Sequence, residues 1–485
     1  MKKAAALIIA LISVFSAALT VSAEQQSLPY SNYTYSEADS SVVLGPQGYI
    51  PEKTVYGNEI GTESFKNPSD IDADEDGNMY ILDAGNNRIV VLTDSAELKG
   101  VISCAVDAEG EASALNGAQG ITAAGDKIYV CDTENSRILV FDKNSGAYIN
   151  KIGAPSSSAL GESFIFKPTR VAVDDMGNLY VVSNGTYEGI INLNANGEFL
   201  SFFAGNKVTS SAWDLFWRRF STKQQRKTML QLIPQDFASI DMDKEGFFLI
   251  TTYTAVSDSM VKRVNPGGTD VLRKMSNVPL IGDPKKYYKG TRAGESSFCD
   301  ISSGSNKIYA CLDKTRGRIF CYNNDGYLLY TFGNLSKQTG GFTNPVALTY
   351  LSGDRIAVAD ASDNSVTLFR PTDYAKAINQ GIGYQNDLDY ENARQQWKRV
   401  LELNSNNDLA LIMIGRSYYN NKDYKIAMEY FKKASDREMY SNARKALRSE
   451  WIFDNVWIII LALAVIAAAA AALTLLKKIK RKRSK

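Results

Sequence analysis

Two stretches decide the fold: YILDAGNNRI at Tyr80–Ile89 and YVCDTENSRI at Tyr129–Ile138. Each begins with an apolar run that contains a tyrosine, passes through an aspartate and a polar loop, and ends on Arg-Ile before a second apolar run. Short apolar runs separated by Asp, Asn and Gly are typical of β-strands joined by tight turns. The same order of features, repeated about 50 residues apart, predicts a repeated β-structural unit.

Related stretches recur along the chain at an interval of roughly 50 residues. Six copies begin at Asn67, Gly120, Lys167, Asp236, Phe298 and Asn344. In each copy a short apolar strand leads into an Asp/Gly turn and two further strands, and a fourth strand follows a Gly turn. Four short strands repeated at a fixed interval predict one blade of a propeller, and six such blades close around an axis.

The last copy is incomplete, because it ends at Phe369 after three strands. An unassigned strand, GYIPEKTVYG at Gly48–Gly57, precedes the first copy. We predict that this strand completes the sixth blade. Such an arrangement ties the two ends of the domain together and removes an exposed sheet edge.

The apolar-Tyr-apolar strand, the aspartate and the following Asn/Ser-Arg-Ile resemble NHL-repeat β-propellers, over residues 42–371. The fourth copy follows the pattern only in outline and lacks the aspartate. The resemblance implies a mainly β domain that binds a protein, a peptide or a carbohydrate. Related six-bladed propellers include sugar-lactone hydrolases that hold calcium in the channel. A calcium-dependent hydrolase is therefore the alternative function, with Asp70 and Asp300 as the first residues to test.

The first strand of each blade lines the central channel in a propeller. Polar residues precede the Ile or Val of this strand in four copies, and they are the candidate ligand-binding residues of the channel: Asp70, Arg170, Ser239 and Asp300. Another set of carboxylates recurs at a single blade position: Asp83, Asp132, Asp313 and Asp360. Because an active site is needed only once, this recurrence favours a structural role in which the carboxylates accept main-chain N–H bonds in the following loop.

One turn resembles a calcium-binding loop. Asp72, Asp74 and Asp76 alternate before Gly77, in the order of an EF-hand loop, and Asp83 follows at the twelfth position. An EF-hand joins two helices and ends on a bidentate Glu, whereas this turn joins two strands and has no such Glu. We therefore predict no metal or other cofactor for the protein.

An insertion at 205–234 interrupts the period between the third and the fourth copy. Its aromatic residues lie at i, i+3, i+4 and i+7, which predicts an amphipathic helix. The insertion is either a helical hairpin packed over one end of the propeller, or a lid or partner surface. The candidate residues of that partner surface are Trp213, Trp217, Arg218 and Arg219.

Beyond Arg370 the apolar spacing becomes helical. Gly381 pairs with Gly415, and Trp397 pairs with Phe431, each pair 34 residues apart, which is the tetratricopeptide period. The small residues permit close contact between helices, and the aromatic residues fill the space between them. This helical stack is either a rigid spacer or a docking surface for a peptide or protein, and the two roles are compatible.

The ends of the chain predict an exported protein with one membrane anchor. A basic start, an apolar stretch and a small-residue cleavage site at Ala23 are typical of a signal peptide. Val456–Leu476 contains no charged residue and has the length that a membrane-spanning helix needs. The basic run that follows it predicts a cytoplasmic tail and an extracytoplasmic N-terminal part. The predicted segments are a signal peptide at 1–23, a linker at 24–41, the propeller at 42–371, helical repeats at 372–450, a transmembrane helix at 456–476 and the tail at 477–485.

The composition excludes several classes of function. The chain has no histidine, which removes His-based nucleophile activation and His-ligated metals. Its net charge of +1 includes the basic tail, so the exported part carries no basic footprint for nucleic acid. The five cysteines are too scattered for a disulfide framework, although one bridge among Cys299, Cys311 and Cys321 is possible. The sequence favours a binding or scaffold protein of the cell envelope, placed beside a membrane transporter.

Overall fold

The computed structural model describes residues 28–104, 114–161, 164–186, 188–205, 236–256, 259–283 and 294–483. The predicted signal peptide lies outside the described residues. The same holds for nearly all of the predicted insertion at 205–234, including Trp213, Trp217, Arg218 and Arg219.

Six antiparallel sheets form the blades, in the order that the repeats predict. Before the first blade come β1 (Asn32–Tyr35), β2 (Val42–Gly45) and β3 (Tyr49–Tyr56). Blade 1 consists of β4 (Asp70–Ala73), β5 (Met79–Asp83), β6 (Arg88–Leu92) and β7 (Leu98–Ser103). Blade 2 consists of β8 (Gly120–Ala124), β9 (Lys127–Asp132), β10 (Arg137–Asp142) and β11 (Tyr148–Ile152). Blade 3 consists of β12 (Pro168–Val173), β13 (Leu179–Ser183), β14 (Ile190–Leu193) and β15 (Phe199–Phe203).

The remaining blades follow the same plan. Blade 4 consists of β16 (Phe237–Met242), β17 (Phe248–Val256) and β18 (Ser259–Val264). Blade 5 consists of β19 (Phe298–Ser303), β20 (Tyr309–Asp313), β21 (Arg318–Tyr322) and β22 (Leu328–Phe332). Blade 6 contains β23 (Pro345–Tyr350), β24 (Ile356–Asp360) and β25 (Ser365–Pro371). The first strands contact one another in a closed ring, β4 to β8, β12, β16, β19, β23 and back to β4, so the sheets form a six-bladed β-propeller.

The predicted closure of the ring is confirmed. Strand β3 pairs antiparallel with β25 and completes blade 6, with Val55 opposite Val366. Both valines are fully buried, so the N-terminal strand also contributes to the core between blades 6 and 1.

Blade 4 departs from the four-strand expectation. Among the described residues its sheet has three strands. In the described chain that follows β18, single bridges join Val264 to Asp270 and Ser259 to Leu280. The weakest sequence copy therefore shows no regular outer strand among the residues that the structure describes.

The linker interpretation of residues 24–41 is wrong for its second half. Strands β1 and β2 form a hairpin whose tyrosines, Tyr33 and Tyr35, are buried. The main-chain N–H of Thr331 donates to Asn32 Oδ1 at 2.8 Å, and that of Tyr33 donates to Thr331 Oγ1 at 3.2 Å. The hairpin thus covers the outer strand of blade 5.

Six helices follow the propeller in the part of the chain described. They are α1 (Asp373–Asn386), α2 (Tyr390–Leu403), α3 (Asp408–Asn420), α4 (Tyr424–Lys433), α5 (Arg437–Asp454) and α6 (Val456–Arg483). A Cβ at Gly381 would lie 2.9 Å from the Trp397 ring, and a Cβ at Gly415 would lie 2.6 Å from the Phe431 ring. The aromatic side chains therefore pack where only a glycine fits, as the paired spacing predicts.

The helical stack and the propeller share one hydrophobic core. Tyr374 and Ile378 of α1 belong to the same cluster of buried side chains as Tyr330 and Phe332 of blade 5. The buried Asn379 adds polar contacts, because its Oδ1 accepts from Tyr330 Oη and its Nδ2 donates to Asp354 Oδ2, both at 2.8 Å. Since burial and hydrogen bonds act together at this junction, we infer a rigid connection.

The two end faces of the propeller differ. The loops that connect successive blades lie at one end, which we call the loop face, together with the loops between second and third strands. The short turns after the first and third strands lie at the other end, the turn face. Asn306, Asp325 and Asp354 lie in such turns and bind Asn379 or Arg416 of the helical stack. The stack therefore packs on the turn face, at blades 5 and 6.

Two further features bear on location. Val456–Ile479 in α6 is long and apolar enough to cross a membrane, and no part of it is buried against the described protein. All five cysteines are buried and free, so no bridge joins Cys299, Cys311 and Cys321. Burial raises the pKa of these thiols. Exclusion from solvent protects reduced thiols from oxidation.

Candidate functional site

The first strands place polar side chains in the channel. The four candidates from the sequence converge there, toward its loop-face end: Asp70, Arg170, Ser239 and Asp300. Arg170 lies between two carboxylates, with its Nη2 3.8 Å from Asp70 Oδ1 and its Nε 3.7 Å from Asp300 Oδ1. Ser239 Oγ donates to Asp300 Oδ1 at 2.7 Å. The four side chains thus form one interacting group, and their role as ligand contacts stays a prediction.

These side chains also connect neighbouring blades. Asp70 Oδ2 accepts from the main-chain N–H of Ile121 in blade 2 at 2.7 Å. Asp300 Oδ2 accepts from the N–H of Leu348 in blade 6 at 2.8 Å. Arg170 donates to the carbonyl of Gln119 at the start of blade 2. Main-chain N–H and C=O groups at the channel edge of each blade have no neighbouring strand to pair with, and these side chains supply their hydrogen-bond partners.

A second polar layer lies nearer the turn face, and sequence reasoning missed it. It contains Asp72, Thr122, Asp241, Ser302 and Thr349. Asp72 Oδ2 accepts from Ala123 N at 2.8 Å, and Asp241 Oδ2 accepts from Ser303 N at 2.6 Å. The sequence alone could have placed Asp72 and Asp241 in the channel. Residues two apart on a strand face the same side, and Asp72 follows Asp70 by two residues, as Asp241 follows Ser239.

The calcium-like turn is held by its own residues. Asp74 Oδ1 accepts from the N–H of Asn78 at 2.8 Å, and Tyr80 Oη donates to Asp74 Oδ2 at 2.8 Å. Asp72 points into the channel layer instead of this turn. Within the described ranges, no three Asp, Glu or Cys side chains are grouped so that they could hold a metal ion.

Burial perturbs the channel carboxylates. It raises the pKa of Asp72 to about 8, with a further contribution from the nearby charge of Asp241. Burial also raises the pKa of Asp241 to about 6. For Asp70, burial raises the pKa to about 7 although Arg170 acts in the opposite direction. Four carboxylates and one guanidinium in a small space thus favour the uptake of protons near neutral pH.

We predict that the folded state loses stability as the pH rises from about 5 to about 8. The folded-state pKa values of Asp70, Asp72 and Asp241 lie above the usual value of 3.8, so the native state binds more protons than the unfolded state. Their favourable contribution is complete below the unfolded-state pKa and is lost as the pH passes the raised pKa values. Because the chain has no histidine, no imidazole masks this effect.

Chemical denaturation of the full chain in nanodiscs, followed by circular dichroism, measures the change. The free energy of unfolding should fall by about 1–3 kcal/mol between about pH 5 and about pH 8. Asp72→Asn should make this fall smaller. An equal free energy of unfolding at both ends of the interval would contradict the prediction.

The recurring blade aspartates are structural, as the sequence favours. Asp132 is fully buried, and its Oδ2 accepts from Arg137 Nε at 2.7 Å and from Asn135 Nδ2 at 2.8 Å. Its Oδ1 accepts from the N–H of Asn116 at 2.7 Å. Asp83 makes the equivalent contacts in blade 1. In blades 1 and 2 the main-chain donor lies in the loop before the first strand. In blades 5 and 6 the aspartate also accepts from the loop that follows it, as the sequence predicts, because the N–H of Thr315 donates to Asp313 and the N–H of Ser362 donates to Asp360.

The comparisons with known proteins agree with the repeat. The family profile of the NHL repeat matches residues 115–141, which span the strands β8, β9 and most of β10. No curated protein sequence matches the chain. The protein is thus a six-bladed β-propeller that contains an NHL repeat and is followed by a helical stack and one long apolar helix.

Solved structures similar to this chain include a streptogramin B lyase, with 12% identity, a TM-score of 0.41 and coverage of 67% of this chain and 100% of the lyase. A hydrazine synthase from Kuenenia stuttgartiensis has 11% identity and a TM-score of 0.39, with coverage of 64% and 96%. A virginiamycin B lyase from Staphylococcus aureus has 10% identity and a TM-score of 0.41, with coverage of 66% and 98%. At such identities the similarity concerns the fold alone.

Proposed function

We propose that the protein is a membrane-anchored, extracytoplasmic binding and scaffold protein that presents the loop face of its propeller to a partner. The partner is a protein, peptide or carbohydrate of the cell envelope, placed beside a transporter. In this proposal α6 crosses the membrane once, and the basic tail stays in the cytoplasm because dense positive charge favours that side. Binding requires no metal and no nucleic acid.

The observation that carries the proposal is the position of the helical stack. It packs on the turn face through a core shared with blade 5, and it leads directly into α6. The turn face at blades 5 and 6 is therefore covered, whereas none of the six helices that the structure describes after the propeller packs on the loop face, which we assign to the partner. In the proposed arrangement the stack, with its tetratricopeptide-like spacing, acts as a rigid spacer.

The channel is the weaker candidate for the binding surface. Asp70, Asp72, Asp241 and Asp300 each already accept a main-chain hydrogen bond from a neighbouring blade. A ligand would have to replace these bonds or fit beside them. The calcium-dependent hydrolase alternative gains no support from carboxylates engaged in this way.

Site-specific photocrosslinking tests the proposal with two positions on blade 3. Ile165 lies on the loop face and is 64% exposed, whereas Met176 lies on the turn face and is 80% exposed. We expect a benzophenone side chain at position 165 to crosslink a partner in intact cells. The same group at position 176 should give little or no crosslinked product, because the partner contacts the opposite face.

Two results would contradict the proposal. Equal crosslinking from both positions, or crosslinking from position 176 alone, would place the partner elsewhere. Externally added protease provides the control for orientation, since it degrades the crosslinked species in intact cells only when the propeller lies outside.

A further inference from the structure

Helix α5 continues beyond the stack that holds it. Its Ala443 packs against Ala427 and Phe431 of α4 in a small buried cluster. From Arg448 to Asp454 every residue is exposed, over about two helical turns. These last turns of α5 lead directly to α6, which begins at Val456.

The exposed turns carry three consecutive large apolar side chains. Trp451 is 59% exposed, Ile452 is 44% exposed and Phe453 is 81% exposed. Consecutive residues of an α-helix point about 100° apart, so these three side chains face three different directions. A protein partner on one side of the helix would cover one or two of them. An apolar medium that surrounds the helix would cover all three.

We propose that the last turn of α5 lies within the interfacial zone of the outer leaflet, with Trp451, Ile452 and Phe453 as an apolar collar in anionic phospholipid. This inference rests on the proposed membrane anchoring by α6. It means that the helical stack rests on the lipid headgroups, and that the bilayer surface restrains the angle between α5 and α6.

Basic residues lie on the side of the collar that faces away from the hydrocarbon, where lipid phosphates would be. Arg444 is seven residues before Trp451, and Arg448 is four residues before Ile452, so both basic side chains lie above the collar on its exposed sides. Arg448 lies about 12 Å along the helix from Val456. The headgroup zone extends about 5–8 Å beyond the hydrocarbon, and a flexible arginine side chain bridges the difference to the phosphates.

The acidic residues lie on the remaining side of the helix. Glu450 follows Ala443 by seven residues, and Asp454 follows Leu447 by seven. Two helical turns bring a residue back to nearly the same direction, so both carboxylates lie below the side of α5 that packs on α4. The side that carries acid is thus the one beneath the stack. The three other directions are apolar, and the two that Trp451 and Ile452 face have a basic residue above them.

Fluorescent thiol probes on the full chain in anionic vesicles test the inference. Single cysteines at positions 451, 452 and 453 receive an environment-sensitive label, and the five native thiols are buried and stay unlabelled in the folded protein. Ser441→Cys is the matched control, since it is exposed on the same helix about 15 Å above Trp451. Ile466→Cys in the middle of α6 reports the anchor itself.

Lipids with a spin label near the headgroup should quench each of the three collar probes by about half, and the probe at position 441 should be unaffected. Quenching at 441 equal to that at the collar, or no quenching at the collar, would overturn the inference. Quenching at only one collar position would also overturn it, because it indicates a one-sided partner. Quenching of the probe at 466 by a deep spin label shows that α6 is inserted, so failure of the collar and failure of the anchor are distinguishable.

Discussion

Replacement of Arg170 by methionine is expected to lower the free energy of unfolding by about 3–5 kcal/mol, because it leaves two buried carboxylates without a counter-charge. The Asp70 and Asp300 side chains are almost fully buried, and Arg170 is the cation that lies between them. The same substitution removes the donor to the carbonyl of Gln119. Methionine is close to arginine in length, so the loss measures charge and hydrogen bonding more than packing.

Urea denaturation of the full chain in nanodiscs, followed by circular dichroism, provides the measurement. Arg399→Met is the matched control, since its ion pair with Glu402 lies on the helix surface. An exposed pair of this kind contributes about 0.5 kcal/mol or less. If Arg170→Met also folds poorly, Arg170→Met with Asp300→Asn should recover part of the loss. Equal losses for Arg170→Met and Arg399→Met would refute the proposed role of Arg170.

The result would also bear on how the channel is used. A residue that mainly holds blades together affects stability whether or not a partner is present. Crosslinking from position 165 would then persist in any Arg170 variant that still folds. A channel that served as the binding surface would lose its partner in the same variant, even under conditions where the fold is intact.

The fold followed from the sequence where the signal is local or periodic. The strand at Gly48–Gly57 was predicted to complete blade 6 because the sixth copy lacks a strand, and β3 takes this place. The Gly381 and Gly415 positions followed from paired spacing. In each case the residue type and its spacing along the chain were sufficient to predict the contact, because neighbouring blades and helices repeat the same contacts.

The hairpin of β1 and β2 shows where such reasoning stops. Residues 32–35 read NYTY, which carries no repeat, and their partners are distant in the chain. Tyr35 Oη donates to Asp283 Oδ1 at 2.7 Å, and Arg318 Nη1 donates to Asp283 Oδ2 at 2.6 Å. Tertiary contacts across about 250 positions stabilise the hairpin, and no local pattern encodes them.

The candidate site was predictable in part for a similar reason. Their shared position, just before the Ile or Val of the first strand, was sufficient to place Asp70, Arg170, Ser239 and Asp300 in one channel. This position does not identify the partner of each carboxylate, because that partner is a main-chain N–H of the next blade. The choice between a ligand contact and a link between blades therefore needed the relative positions of the blades.

Asp132→Ala is expected to cost about 3–5 kcal/mol in free energy of unfolding, since it removes the carboxylate that pairs with the buried Arg137. Arg137 is 8% exposed, so water cannot fully replace the lost carboxylate. The N–H of Asn116 and the amide of Asn135 lose an acceptor at the same time. Thermal and urea denaturation of the full chain measure the loss, and Asp132→Asn, which keeps one acceptor oxygen, should fall between the alanine variant and the unchanged protein.

The control for this prediction lies in the same blade. Asp126 is an exposed residue of the turn between β8 and β9, and Asp126→Ala should change the free energy of unfolding by about 0.5 kcal/mol or less. Because the Asp132 side chain is fully buried, it cannot touch a partner on the loop face. Crosslinking from position 165 should therefore decrease only in proportion to the unfolded fraction of each variant. A fully folded Asp132→Asn protein that no longer crosslinks would show that the position of the loop before blade 2 is itself part of recognition, which would contradict a purely structural role for the repeated aspartate.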